Sequence, residues 1–196
     1  MRIPFLLTVL LTTTVVAGQP TAAVTREADL PLSISLSVPK RGGERRIDFD
    51  DSRSHFHVIV TNNSKSEQRV WETCNSWGDR NLRFEVLGDK GAVTHVITKK
   101  EERDRRVNYP SWIPLAPGET LVMDVYFSPL TWDMPFLSDV PDSPGNFKLK
   151  LRAVLEVESE EAASKNAIWT GKIQSKVDDV TIGVWSNWIK SPITKR

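Results

Sequence analysis

From residue 30 onward, apolar side chains recur at every second position in one segment after another. This period of two is typical of β-strands, because successive side chains on a strand point to opposite faces of the sheet. The pattern predicts eight or so strands, at residues 34–38, 56–60, 82–86, 95–98, 121–127, 149–157, 168–175 and 180–184. We therefore expect a mostly β protein with little helix.

The segment 149–157 indicates what these strands pack against. Leucine, alanine and valine occupy its odd-numbered positions, whereas Lys150, Arg152 and Glu156 lie on the other face. One face therefore meets a core and the other meets water, as in an antiparallel sheet. With turn signals such as Pro117-Gly118 between the strands, the sequence predicts an all-β fold. We expect an immunoglobulin-like antiparallel β-sandwich of about eight strands and one short helix, over residues 30–184.

Three shorter segments complete this prediction. A short helix is expected after Ser159, which can cap it, with Glu160 and Glu161 at its positive end and Lys165 at its negative end. Residues 40–51 are charged and contain glycine, which predicts a loop between the first two strands. The mixed-charge run 101–106 is expected to be a solvated loop or strand rim.

The N-terminal segment has the layout of a signal peptide. Arg2 precedes an uncharged span at residues 3–25, whose most apolar part is shorter than the roughly 20 residues of a spanning helix. Small residues at 16–18 and 21–23 suit cleavage, so residues 1–23 are predicted to be removed. The mature protein is then secreted or periplasmic, with an uncleaved membrane anchor as the alternative. Residues 185–196 are expected to form a C-terminal tail.

The composition narrows the possible partners. The 26 basic and 25 acidic side chains give a net charge of +1, which does not favour nucleic acid. Cys74 is the only cysteine and forms no internal disulfide. About 170 residues after the leader are enough to form one domain without such a bridge. We predict no cofactor, and membrane contact only if the signal segment is not cleaved.

Two groups of side chains suggest possible chemistry. Cys74 is a candidate nucleophile, although a single cysteine without a family signature is more often a small buried side chain. His55 and His57 would lie on one strand face, opposite Phe56 and Val58, where they are weak candidates for a metal site. Two solvent-facing histidines are the simpler interpretation, and no metal is predicted.

The chain contains seven tryptophans. Three of them, Trp71, Trp77 and Trp169, fall in or beside strand candidates and are expected to anchor the core. The other four lie among prolines or near the C-terminus and are candidate binding residues, because exposed tryptophans together mark a binding surface. These candidates are Trp112, Trp132, Trp185 and Trp188.

Short motifs add little evidence for catalysis. Asn62-Asn63-Ser64 matches a glycosylation acceptor at Asn62, which matters only in a eukaryotic source. The sequence contains no phosphate-binding loop, zinc-protease helix motif or serine nucleophile elbow. We therefore predict that the protein is not an enzyme and has no catalytic residues.

Several short sequences resemble, as a set, a known group of proteins. They are Thr73-Cys74-Asn75-Ser76-Trp77-Gly78, residues 81–86, Pro117-Gly118-Glu119 and Trp169-Thr170-Gly171. The set resembles an uncharacterised family of exported bacterial proteins, of the sort abundant in planctomycetes, over residues 50–182. The resemblance implies an immunoglobulin-like sandwich and brings no activity, cofactor or catalytic residue with it.

A looser similarity connects the chain with sandwich domains of the intracellular proteinase-inhibitor type. It depends on two turns, Asn62-Asn63-Ser64 and Pro117-Gly118-Glu119. Turns of this kind recur in many β proteins, and an export signal departs from an intracellular inhibitor.

Three functions are compatible with these observations. The preferred one is a secreted or periplasmic, non-catalytic binding or structural module that presents loops and a tryptophan-rich patch to an unknown envelope protein or glycan. The alternatives are a metal-binding or thiol-dependent enzyme that uses His55 and His57 or Cys74, and an inhibitor of a secreted protease.

Overall fold

A computed structural model of the chain describes residues 30–49, 54–100, 109–139 and 145–184. The predicted signal peptide, the mixed-charge run 101–106 and the predicted C-terminal tail lie outside these residues. The strands of the described part are β1 (Leu32–Ser37), β2 (Lys40–Arg41), β3 (Glu44–Asp48), β4 (Phe56–Asn62), β5 (Gln68–Trp71), β6 (Leu82–Leu87), β7 (Val93–Lys99), β8 (Trp112–Leu115), β9 (Thr120–Val125), β10 (Trp132–Asp133), β11 (Gly145–Val157), β12 (Gly171–Gln174) and β13 (Asp178–Val184). The helices of this part are a 3-10 helix (Pro135–Asp139) and α1 (Glu161–Lys165).

The strands form two main sheets and a separate two-stranded ribbon. The small sheet has the order β1-β4-β9, and the large sheet has the order β10-β7-β6-β11-β13-β3-β2, with β12 also paired to β11. The ribbon consists of β5 and β8. Strand β1 of the small sheet packs on β11 and β12 of the large sheet. These layers confirm the predicted all-β sandwich.

Strand β11 is the longest strand and confirms the predicted two-faced pattern. Its odd-numbered residues from Leu151 to Val157 are buried, whereas Arg152 is half-buried on the other face. There Arg152 Nη2 lies 2.5 Å from Oε2 of Glu85 on β6. Val154 is the exception on this face, because it is fully buried.

An aromatic cluster fills the core between the sheets. It joins Phe56 of the small sheet to Phe84 of the large sheet, together with Phe127 and Trp132. Their rings meet edge to face, with centroids between 4.9 Å and 5.8 Å apart. Each such pair adds roughly 0.5–1.5 kcal/mol to the free energy of unfolding beyond the burial of its area.

The prediction of a loop at residues 40–51 is wrong, because this segment contains β2 and β3, and β3 pairs in parallel with β13. The charged side chains of this segment are compatible with a sheet because arginines and an aspartate pair with one another. The buried carboxylate of Asp48 accepts hydrogen bonds from Arg46 Nε at 2.6 Å and Arg41 Nη1 at 3.0 Å. Gly183 leaves room for this cluster, because an added Cβ would overlap Arg46 and Asp48.

Helix α1 lies between β11 and β12, where a short helix was predicted, but Ser159 does not cap it. Glu160 is the N-cap residue, with extended backbone and without a side-chain cap bond. The C-terminal end agrees with the prediction: Asn166 closes the helix, and its Nδ2 donates to the Ala162 carbonyl at 2.8 Å. The ribbon strands β5 and β8 were not predicted.

Candidate functional site

Strand β8 begins with Trp112 and is held to the sandwich at both ends by buried asparagine side chains. At one end, Asn62 Nδ2 donates to the Leu115 carbonyl at 2.8 Å. At the other end, Asn75 Nδ2 donates to the carbonyl of Ser111 at 2.8 Å and to its hydroxyl at 3.1 Å. These hydrogen bonds join uncharged groups in the interior. They hold the ribbon in place, and the ribbon positions Trp112.

The match of Asn62-Asn63-Ser64 to a glycosylation acceptor is explained by local structure. The side chain of Asn62 is 0% exposed. Its Nδ2 makes a second hydrogen bond, which it donates to the Ser66 carbonyl at 2.8 Å. The Oδ1 atom accepts from the backbone N–H and the hydroxyl of Ser64, at 2.9 Å and 2.8 Å. The amide that would receive a glycan is therefore fully used inside the fold, and the tripeptide forms a side-chain-stabilised turn.

The sequence Thr73-Cys74-Asn75-Ser76-Trp77-Gly78 is explained by local structure. Asn75 Oδ1 accepts from the backbone N–H groups of Trp77 at 3.0 Å and Gly78 at 2.9 Å. An added Cβ at Gly78 would overlap the Glu72 carbonyl oxygen. The turn therefore needs both an asparagine and a glycine, irrespective of any function.

An open groove of about 720 Å³ lies between the residues that lead into β8 and helix α1. We call it the aromatic groove. Tyr109 is 76% exposed in it, and Trp112 is half-buried. The helix side contributes the acidic residues Glu160 and Glu161. The groove is lined by Tyr109, Pro110, Trp112, Glu160, Glu161, Ala162, Lys165 and Asn166.

Arg69 contacts Trp112, one of the residues that line this groove. Its guanidinium carbon lies 5.6 Å from the centre of the Trp112 ring, within the range of a cation–π contact. The same guanidinium donates to Glu67 Oε1 at 3.1 Å and to the Asn166 carbonyl at 3.4 Å. Arg69 therefore joins β5, the Trp112 ring and the end of α1.

A second groove, of about 460 Å³, lies on another side of α1 and also includes Glu160. It contains Trp77, which is half-buried and stacks on Trp71 with ring centroids 5.9 Å apart. Trp77 was predicted to anchor the core because it lies in or beside a strand candidate, and it does pack against the core. The part of Trp77 that stays exposed lines this groove with residues of α1, which lies more than 80 residues further along the chain.

The structure does not bring the four candidate tryptophans together as one exposed patch. Trp132 is only 6% exposed, and its Nε1 donates to the Tyr126 carbonyl at 3.1 Å, so it offers no stacking platform on the surface. Trp112 lies on the aromatic groove. Trp185 and Trp188 lie outside the described residues. Trp71 and Trp169 are buried, as predicted.

His55 and His57 flank Phe56 and face away from the core. His57 Nε2 lies 2.9 Å from Asp124 Oδ1 on the neighbouring strand, and the His55 ring stacks on Tyr126 at 5.8 Å. Within the described ranges, no group of three or more histidine, cysteine, aspartate and glutamate side chains is arranged to hold a metal ion. Each of these two histidines therefore has a side-chain neighbour, which is Tyr126 for His55 and Asp124 for His57.

Cys74 is exposed, contrary to the expectation of a small buried side chain. Its thiol donates to Glu72 Oε2 at 3.3 Å, and the Ser111 hydroxyl donates to the same oxygen at 2.7 Å. The bond from Ser111, followed by that from Cys74, lowers the pKa of the Glu72 carboxyl below its ordinary value. The exposed thiol therefore contacts a carboxylate that the Ser111 hydroxyl also holds.

No protein-family model matches the chain, and no curated protein matches it. The described part of the chain contains no helix with the length and apolarity needed to cross a bilayer.

Proposed function

We propose that this protein is an exported, non-catalytic binding module, secreted or periplasmic, that holds an envelope protein against the aromatic groove. The observation that supports this most is Tyr109, a tyrosine that is 76% exposed beside the half-buried Trp112. Tyrosine, tryptophan and arginine are the residues most often responsible for binding energy in protein interfaces. Trp112 lies on a hydrogen-bonded ribbon, which suits that role because a side chain already held in place loses little entropy when it is covered.

The charges around the groove indicate which side chains a partner would insert. Glu160 and Glu161 lie across from the aromatic rings. An aromatic face next to carboxylates favours a lysine or arginine of the partner. The contact between Arg69 and Trp112 is an example of the same pairing within the chain. Carboxylates outnumber the single ammonium, Lys165, in the lining of the groove, so we expect a protein partner that places a basic residue in it.

A capture experiment with matched variants tests this proposal. The immobilised protein is exposed to an envelope extract of its own source organism, in parallel with Tyr109→Ala and Leu130→Ala. Leu130 is an 84% exposed apolar residue outside the groove, so it controls for nonspecific adhesion. We expect Tyr109→Ala to reduce capture of the partner about tenfold or more, as for an interface hot spot, and Leu130→Ala to leave it unchanged.

Two results would contradict the proposal. If Tyr109→Ala retains the partner as well as the unmodified protein does, the groove is not the binding surface. If glycosidase treatment of the extract removes the dependence of capture on Tyr109, the occupant of the groove is a glycan and a protein partner is wrong.

A further inference from the structure

A smaller cavity, of about 300 Å³, opens between β9 of the small sheet and the β7–β10 end of the large sheet. We call it the edge cleft. Its apolar wall includes Leu82, Met123 and Trp132. This volume is at the lower end of small-molecule sites, so the cleft suits a ligand with one ring rather than a polymer.

One wall of the edge cleft contains an ion pair. Lys99 Nζ lies 2.5 Å from Oδ1 of Asp79, whose side chain is almost entirely buried. The two charges offset each other. Because a buried ion pair gives little net stability compared with apolar residues, its position on a cavity wall suggests a use in binding. An ammonium group can donate three hydrogen bonds, so Lys99 can serve a ligand while it holds Asp79.

The cleft also offers a ring surface and hydroxyl groups. His55 and Tyr126 stack with an angle of 21° between their planes. Thr73 and Thr131 also line the cleft, and their hydroxyls can both donate and accept hydrogen bonds. The cleft therefore combines an apolar side, a stacked aromatic pair and a mixture of donors and acceptors.

We propose that the edge cleft binds one uncharged sugar ring, as a free hexose or as the terminal hexose of a glycan. The hydroxyls of a hexose need donors and acceptors in alternation, and its C–H face packs on apolar and aromatic surface. A charged ligand gains little inside the cleft, because Asp79 and Lys99 already pair with each other and Asp124 lies largely exposed at the rim. The aromatic groove has different lining residues, so the two proposals can fail separately.

Titration of the ¹⁵N-labelled full chain, followed by NMR, tests this site. D-glucose, D-galactose and D-mannose are compared with D-glucuronate and D-glucosamine, and then with an oligosaccharide that ends in the best hexose. We expect saturable shifts at the amides of Lys99 and Val125 and at the Trp132 indole, with a neutral hexose as the tightest ligand. The relative affinities of free hexose and oligosaccharide then identify the natural source.

Three variants locate the binding. Thr131→Val keeps the shape of the side chain and removes one hydroxyl, so we expect about tenfold weaker hexose binding. Asp79→Asn leaves the Lys99 charge without its offset and should shift the preference toward D-glucuronate. Tyr109→Ala should leave hexose binding unchanged. The proposal is overturned if no hexose gives saturable shifts, if a charged sugar binds the unmodified protein best, or if Tyr109→Ala abolishes binding.

Discussion

Trp132 and Trp112 lie in two aromatic regions of the molecule that differ in how they are built. Trp132 packs edge to face on Phe84 and Phe127, at 5.3 Å and 5.8 Å, inside the sandwich. Trp112 pairs across the ribbon with Trp71 and is half-buried at the edge of the aromatic groove. Both follow or precede prolines in the sequence, so local composition does not distinguish them.

The difference lies in what holds each region in place. Trp132 is 6% exposed and packs on Phe84 and Phe127, although it also lines the edge cleft, so removal of its ring leaves a cavity in the core. The region around Trp112 is fixed by directional bonds from Asn62, Asn75 and Arg69, which leave part of the aromatic surface open. The first region therefore contributes stability, and the second can contribute binding. Substitutions should separate these two roles.

The largest effect is expected for Trp132→Ala. Removal of a core tryptophan should lower the free energy of unfolding by about 3–5 kcal/mol. Trp112→Ala removes a half-buried ring and should cost about 1–2 kcal/mol. Urea unfolding followed by far-ultraviolet circular dichroism measures both. Equal losses for the two variants would mean that the regions do not differ as described.

An intermediate effect is expected at Asn62, which fixes the Leu115 end of β8. Asn62→Ala leaves the Leu115 and Ser66 carbonyls without their buried donor, so the free energy of unfolding should fall by about 2 kcal/mol. Asn63→Ala, at the exposed neighbour, should change it by less than about 0.5 kcal/mol. The same urea experiment measures both variants. A cost at Asn63 similar to that at Asn62 would show that the turn, and not the buried amide, supports the ribbon.

The smallest effect is expected at Glu72, next to the Asn75 turn. The pKa of its carboxyl is lowered in the folded protein, so the charged form contributes stability above the unfolded-state pKa. That contribution is lost as the pH falls through the lower, folded-state pKa. Ser111→Ala removes the principal cause of the shift. The difference in stability between Ser111→Ala and the unmodified protein should therefore shrink between about pH 6 and pH 3. A difference that stays constant over this range would exclude the linkage.

Much of the fold could be predicted from the sequence because its strands alternate clearly. Strands β4 and β9 each bury one face, and the apolar residues of β6 and β11 also recur at every second position, so the period of two was visible. Strand β3 was missed because its Arg46 and Asp48 neutralise each other only when the chain is folded. The ribbon was missed because Pro114 lies within β8, and proline usually argues against a strand.

Less of the candidate site could be predicted. Trp112 was named from sequence, but its partners Tyr109 and Glu160 were not, because the groove joins segments about 50 residues apart. Asn62 matched a modification motif of three residues. Such a motif can be modified only if its asparagine is accessible. In the fold, the Asn62 amide is bonded to the carbonyl of Leu115, which is distant in the sequence.

The central claim is that the aromatic groove is the surface that meets an envelope protein. Site-specific photocrosslinking in intact cells of the source organism tests it most directly, with a photoreactive amino acid placed at Tyr109 in one strain and at Leu130 in another. We expect one protein to be crosslinked from position 109, and we expect the same protein not to be crosslinked from position 130. The same product from both positions, or from position 130 alone, would contradict the claim.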